Sequence, residues 1–267
     1  MPYRSFFGFQ REPFSSSLPL DSILKTESLD AVDKRVQYVI RLGAIGLVTG
    51  EVGSGKSTAL RWSCGQLHSS KYKVLWVTAT SGSILEIYRQ LLAELDIKTS
   101  ASSRAVLTRM IREQIVDIVV HKRQQVVLIV DEASLLRIEV FREIHTLTQF
   151  EGDSKPLLPI ILSGQKSLAA NLLHRNVAPL ASRIVTRTHL KEVDRDEMEA
   201  YIVHHLSIAG INHNLYEDSA ITAIHRSSGG LFRRANNLAR GALVSAAAEK
   251  SQVVTAEHVR QADSELV

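Results

Sequence analysis

Between residues 45 and 190 the chain alternates two kinds of apolar pattern. Short runs rich in β-branched residues suit buried strands, whereas apolar positions recurring every three or four residues suit helices with one buried face. The pattern predicts strands at Ile45–Thr49, Val74–Thr78, Val126–Asp131, Leu157–Ser163 and Ile184–Thr188, with helices at Ile84–Leu95 and Ala105–Val120 between them. Such alternation argues for an α/β fold, a parallel sheet covered on both faces. After Lys191 the strand signal stops, and helices are expected at about 195–209, 216–226, 231–249 and 255–265. Residues 1–30 follow neither period and read as irregular, yet they hold Phe6, Phe7, Phe9 and Phe14, four of the seven phenylalanines. That much aromatic surface predicts docking, on the chain's own core or on a neighbouring subunit. The expected organisation is an aromatic arm at 1–30, an α/β domain at 31–190 and a helical domain at 191–267.

Composition narrows the class. With 45% hydrophobic and 22% charged residues the chain is globular rather than disordered or fibrous. Its apolar runs, such as Val126–Val130, fall far short of the ~20 residues that cross a bilayer, and the opening Met1-Pro2-Tyr3-Arg4 lacks a signal peptide's apolar stretch. No membrane association is expected. The single cysteine, Cys64, rules out an internal disulfide framework and fits a cytoplasmic location. A net charge of +4 and an isoelectric point near 9.2 lean towards anionic ligands, nucleic acid among them.

The chemistry concentrates in two segments. Gly50-Glu51-Val52-Gly53-Ser54-Gly55-Lys56-Ser57-Thr58 fits G-x-x-x-x-G-K-[ST], follows a predicted strand and opens a predicted helix at Thr58. Glycines let successive N–H groups curl towards a phosphate, and the helix N-terminus adds partial positive charge. Lys56 then reaches the β- and γ-phosphates of a nucleotide such as ATP, and Ser57 can ligate Mg²⁺. Val126–Val130 next delivers Asp131 and Glu132 at a strand's C-terminal end, where α/β sheets bind ligands, and looks like a Walker B motif. Asp131 suits the Mg²⁺ shell and Glu132 the orientation of an attacking water.

Three further segments carry candidates. If the sheet sets the phosphate loop and Asp131 side by side, Ser163 or Gln165 at the tip of the fourth strand touches the water or γ-phosphate; the alternative makes Ser163 a helix N-cap. Arg183 precedes the last strand, and Arg233 and Arg234 open a helix after Gly229-Gly230-Leu231-Phe232. Arginine's fork of donors suits phosphate oxygens, although a lone surface arginine is more often an ion-pair partner. For DNA, the segments containing Ser81, Ser83, Ser103 and Arg104 precede predicted helices, where free N–H groups grip phosphates without reading bases; Arg109 and Arg112 add charge.

Taken together these motifs resemble the P-loop NTPases of the AAA+ class, and more closely the ExeA/GspA-like branch. The resemblance runs from the arm Phe6-Phe7-Gly8-Phe9…Glu12-Pro13-Phe14 through the phosphate loop and Ser163-Gly164-Gln165 to Gly229-Gly230-Leu231-Phe232-Arg233. It implies a five-stranded parallel sheet with a small C-terminal helical lid, and an ATPase using ATP and Mg²⁺. It casts Ser163 as sensor 1, Arg183 as an arginine finger acting in trans, and Arg233 as sensor 2. The family usually has proline where this chain has Phe232, so Arg234 stands as a rival for the last role.

The same module is similar to the target-selecting ATPases of transposons (TnsC-, TniB- and IstB-like). That likeness implies a homo-oligomeric ring or filament on double-stranded DNA, a transposase as partner, and disassembly on hydrolysis. The secretion branch continues into a membrane-spanning helix and an envelope domain; the expectation here is that their absence before Val267 favours the DNA role. A secretion-associated ATPase and a clamp- or helicase-loader-like ATPase are the rival readings.

Overall fold

A computed structural model describes residues 2–80 and 83–266. It divides into two compact units: Thr26–Gly50 with Lys56–Leu190, and Met1–Lys25 with Glu51–Gly55 and Lys191–Val267.

The first unit is built on five strands, β1 Ile45–Gly50, β2 Tyr72–Thr78, β3 Gln125–Asp131, β4 Ile160–Gly164 and β5 Ile184–Leu190. All pairings are parallel, in the order β2-β3-β4-β1-β5. The interior strands are buried almost throughout, as a sheet covered on both faces requires. Leu75, Val77, Val126, Leu128, Val130, Ile160 and Leu162 share one core with helices Ile84–Glu94, Arg104–Val116 and Ile138–Leu147. The alternate positions face the other way, where Val32, Val36 and Val39 of helix Glu27–Leu42 are buried.

Helix Glu27–Leu42 is capped by Thr26, whose hydroxyl accepts from Leu29 N at 3.2 Å, and ends at Gly43 in the left-handed conformation. The expected strand at 157–163 begins instead at Ile160, because Pro156 and Pro159 have no N–H for the ladder. The helix expected to run to Val120 closes at Val116 and passes into a π-helical turn, Asp117–His121. Arg123 follows with φ +54°.

In the second unit, helices Arg195–Ile208, Asp218–Ser228, Phe232–Ala248 and Ala256–Glu265 enclose a second core. Asp194 caps the first through a reciprocal box with Glu197. The arm is not irregular throughout: Pro2–Phe7 forms a short helix, and Tyr3, Phe7, Phe9 and Phe14 are buried among Met198, Leu206, Tyr216, Leu238 and Ala242. Of the two dockings open to it, the arm takes the chain's own core. Arg240 fastens it by donating to Phe14 O at 2.6 Å and pairing with Glu12 at 3.6 Å, while Gln10 N donates to Ala209 O at 2.9 Å. Phe14 stacks on His205 at 5.3 Å. Burial drives the His205 imidazole down to about 4, assisted by the neighbouring His204.

Among the described residues, no helix is long and apolar enough to cross a membrane.

Candidate functional site

The chemistry collects at the C-terminal ends of the strands, where each chain crossing turns away from an apolar strand and presents polar atoms. β1 ends at Gly50, and the helix Lys56–Gly65 begins at the motif's lysine, two residues before the expected start. Lys56 is buried, and its ammonium donates to Gly50 O at 3.0 Å. Ser57 Oγ donates to Asp131 Oδ2 at 2.7 Å. The hydroxyl and carboxylate that the two motifs contribute are therefore in contact, although 74 residues separate them.

Asp131 is itself held. It is 6% exposed, its carbonyl accepts from Ala79 N at 2.8 Å, and its Oδ1 accepts from Glu132 N at 3.0 Å. Glu132 adopts φ +53°, a left-handed conformation that costs a residue with a Cβ on the order of 1 kcal/mol. That turn ends the strand and leads into the 3₁₀ turn Ala133–Leu135. Backbone strain of this kind collects at functional sites.

β1 and β3 are not adjacent: β4 lies between them and pairs with both. The phosphate loop and Asp131 are nevertheless side by side through the Ser57–Asp131 contact, although their strands are not neighbours. The intervening strand puts Ser163 in register with Val48 of β1. Ser163 is not a helix cap, since it lies inside β4 and the next helix starts at Ser167. Its hydroxyl is buried without a hydrogen-bond partner among the described residues, an arrangement that costs about 1–3 kcal/mol unless a ligand or water completes it. Gln165 N donates to Ser134 Oγ at 3.3 Å, a contact with no signal in the sequence. Gly164 is required there because a Cβ would stand 2.8 Å from Ser134 N.

The turn Glu51–Gly55 groups with the helical unit. Gly53 has φ +86°, and its carbonyl accepts from Arg233 N at 3.3 Å; a Cβ on Gly53 would meet Arg233 Cβ at 2.8 Å. Val52 is 46% exposed, and Ser54 Oγ is buried without a partner among the described residues. Arg234, the rival, pairs with Asp263 at 3.2 Å. The helix opens at Phe232, whose ring packs on Tyr201 at 4.5 Å where the family pattern has proline.

Arg183 precedes β5 with its backbone fixed at both ends: Arg183 N donates to Leu180 O at 3.0 Å, and Ile45 N donates to Arg183 O at 3.1 Å. The DNA candidates scatter. Ser81 lies outside the described residues. Ser83 and Ser103 are N-caps of the helices at 84 and 104 without side-chain cap bonds. Arg104 pairs with Glu143 at 3.3 Å, Arg109 with Glu113 at 3.8 Å, and Arg112 donates to Gln149 O while lying 5.1 Å over the Phe150 ring.

The donor set fits a magnesium nucleotide: a lysine, a hydroxyl and a carboxylate converge, with an orphaned buried hydroxyl on the strand between. The comparisons agree with this geometry. Residues 40–172 match the family model described as an AAA domain. The chain is 29% identical over 254 residues to General secretion pathway protein A of Aeromonas hydrophila, covering 94% of this chain but only 46% of that protein. Among solved structures it is similar to Cdc6p of Pyrobaculum aerophilum, with a TM-score of 0.73 at 14% identity over 99% of this chain and 71% of that one. It is also similar to the Aeropyrum pernix ORC1 protein solved in complex with DNA, with a TM-score of 0.69 at 16% identity over 92% and 67% of the two chains. The chain has the P-loop AAA+ fold; its residues 40–172 match the AAA-domain model, and its sequence is similar to that of General secretion pathway protein A.

Proposed function

We propose that this chain is a magnesium-dependent ATPase whose ATP-bound form assembles on duplex DNA, directs a transposase to its target and comes apart on hydrolysis. The observation that carries the ATPase part is the contact of Ser57 Oγ with Asp131 Oδ2 beside the buried ammonium of Lys56. Lys56 binds the β- and γ-phosphates, Ser57 and Asp131 hold the metal shell, and Glu132 orients the water whose attack releases phosphate. A bound Mg²⁺ neutralises the phosphate charge that grows during transfer. The buried hydroxyl of Ser163 senses the attacked group. Arg183 serves a neighbouring copy's site, which makes turnover depend on a ring or filament, and Arg233 reports nucleotide state from the turn at Gly53.

The DNA part draws support from the isoelectric point near 9.2 and from the shared fold with a protein solved on DNA. The transposase part draws on the likeness of the ATPase module as a whole to the target-selecting ATPases of transposons, a likeness it shares with secretion-associated ATPases. A second reading, a secretion-associated ATPase with envelope partners, is favoured by the 29% identity to General secretion pathway protein A.

Phosphate release measured with and without duplex DNA separates them. Stimulation by DNA that disappears in Lys56→Ala supports the first reading. Turnover indifferent to DNA turns the assignment to the second, and DNA-stimulated turnover surviving Lys56→Ala overturns the site itself.

A further inference from the structure

Among the concavities of the described residues, three on the α/β unit differ in charge. The largest is lined by Arg104, Arg109 and Arg112 but also by Glu113, Asp117, Glu143 and Glu151. The second mixes Arg104 and Arg142 with Glu139 and Glu143. The third, about 710 Å³, is lined by Arg41, Lys71 and Arg123 together with Gln37, Tyr72 and Gln124, and by no carboxylate. Among the described residues, none of its three cations has a carboxylate within ion-pair distance, whereas the arginines singled out from the sequence for DNA are spent on internal contacts.

Its position follows from the strand register. Tyr72 and Gln125 begin β2 and β3 and are paired with each other, while Asp131 ends β3. Six residue steps of strand, roughly 20 Å at 3.3 Å each, separate this groove from the Asp131 carboxylate. Arg41 comes from the last turn of helix Glu27–Leu42, Lys71 from the residue before β2, and Arg123 from the segment after the π-helical turn. Three cations brought together from distant parts of the chain repel one another, and nothing within the groove offsets that repulsion. The side-chain mix fits a phosphodiester strand: cations for the phosphates and a half-buried tyrosine ring as a surface for a base, while the Gln37 and Gln124 amides, which donate to Asp33 Oδ1 at 3.4 Å and Ser69 O at 2.8 Å, each keep one N–H for a sugar or phosphate oxygen. A concave surface admits a strand but not the plane of a bilayer.

We infer that the groove of Arg41, Lys71 and Arg123 is a second nucleic-acid contact, binding the phosphate backbone at the end of the sheet opposite the nucleotide site. The inference rests on the DNA reading above. It gives each subunit a DNA contact outside the helix N-termini that the sequence indicates.

The test is fluorescence anisotropy of the full chain, with a non-hydrolysable ATP analogue and magnesium, on a labelled duplex and a labelled single strand across a salt series. The variant is Arg41→Gln with Lys71→Gln and Arg123→Gly. All three side chains are exposed, and glycine relaxes the φ of +54° at 123, so the fold and basal ATP turnover are expected to stay unchanged. Loss of three phosphate contacts lowers the slope of log affinity against log salt by about 2 to 3, roughly a hundred- to a thousandfold in affinity at 0.1 M salt relative to a 1 M reference, with little dependence on sequence. Wild-type binding with an unaltered slope in the variant overturns the groove and leaves the DNA reading standing. No binding of either nucleic acid by the wild type sinks that reading and the groove with it. Binding of phosphatidylglycerol vesicles lost in the variant, with nucleic-acid binding unchanged, assigns the cations to a membrane surface and overturns the inference.

Discussion

The two units reach their cores by different routes. In the α/β unit, β1, β3 and β4 are buried nearly throughout, and the helices that complete the core with them come from the stretches of chain between and flanking the strands. In the helical unit, part of the core comes from the far end of the chain, where Tyr3, Phe7, Phe9 and Phe14 pack with helices that start at Arg195. The α/β unit thus carries the candidate site residues on strands and helices that alternate along one stretch of sequence, while the helical unit closes its core with residues from the far end of the chain.

The largest effect expected is chemical and confined to the α/β unit. Glu132→Gln should lower ATP turnover by about 10²–10⁴-fold while nucleotide affinity is retained, as measured by phosphate release and by titration with labelled nucleotide. Turnover within a few-fold of wild type would remove Glu132 from the site. Next, Phe14→Ala should cost about 3–5 kcal/mol in denaturant unfolding. Hydrogen exchange should place the loss in residues 195–265. An unaltered stability would mean the arm is ornamental and would erase the contrast between the units.

Acid offers a third handle. The His205 pKa falls from 6.5 to about 4 on folding, so its contribution is fully present above pH 6.5 and is lost as pH falls from 6.5 towards 4. The loss amounts to about 3 kcal/mol at the acid end. His205→Phe should flatten that part of the stability profile, and an unchanged profile would contradict the buried neutral imidazole. The smallest effect belongs to Ser163→Ala. Removing an unpartnered buried hydroxyl should leave the melting temperature unchanged or slightly higher while turnover falls about tenfold. A drop in stability would show that the hydroxyl has a structural partner.

Legibility followed the same division. The strands and the G-x-x-x-x-G-K-[ST] loop were readable because an interior parallel strand is a local apolar run and a phosphate loop is a local backbone requirement. Helix Glu27–Leu42 goes unassigned in the sequence reading, although Leu29, Val32, Val36, Val39 and Ile40 recur at helical spacing between Thr26 and Gly43. That signal is local and amphipathic, with a cap at each end. No such signal exists for Ser134 behind Gln165, or for the meeting of Arg41, Lys71 and Arg123, since each depends on residues far apart in sequence.

Sequence by itself determined the class of fold and the residues proposed to bind a triphosphate, because backbone curvature at glycines and the alternation of apolar runs are properties of adjacent residues. Only the tertiary structure decided the order β2-β3-β4-β1-β5, which seats Ser163 between the two motifs, the burial of the arm against the helices after 195, and the gathering of three unpaired cations at the far end of the sheet. Those depend on which distant surfaces exclude water together, and a pattern along one chain does not record that choice.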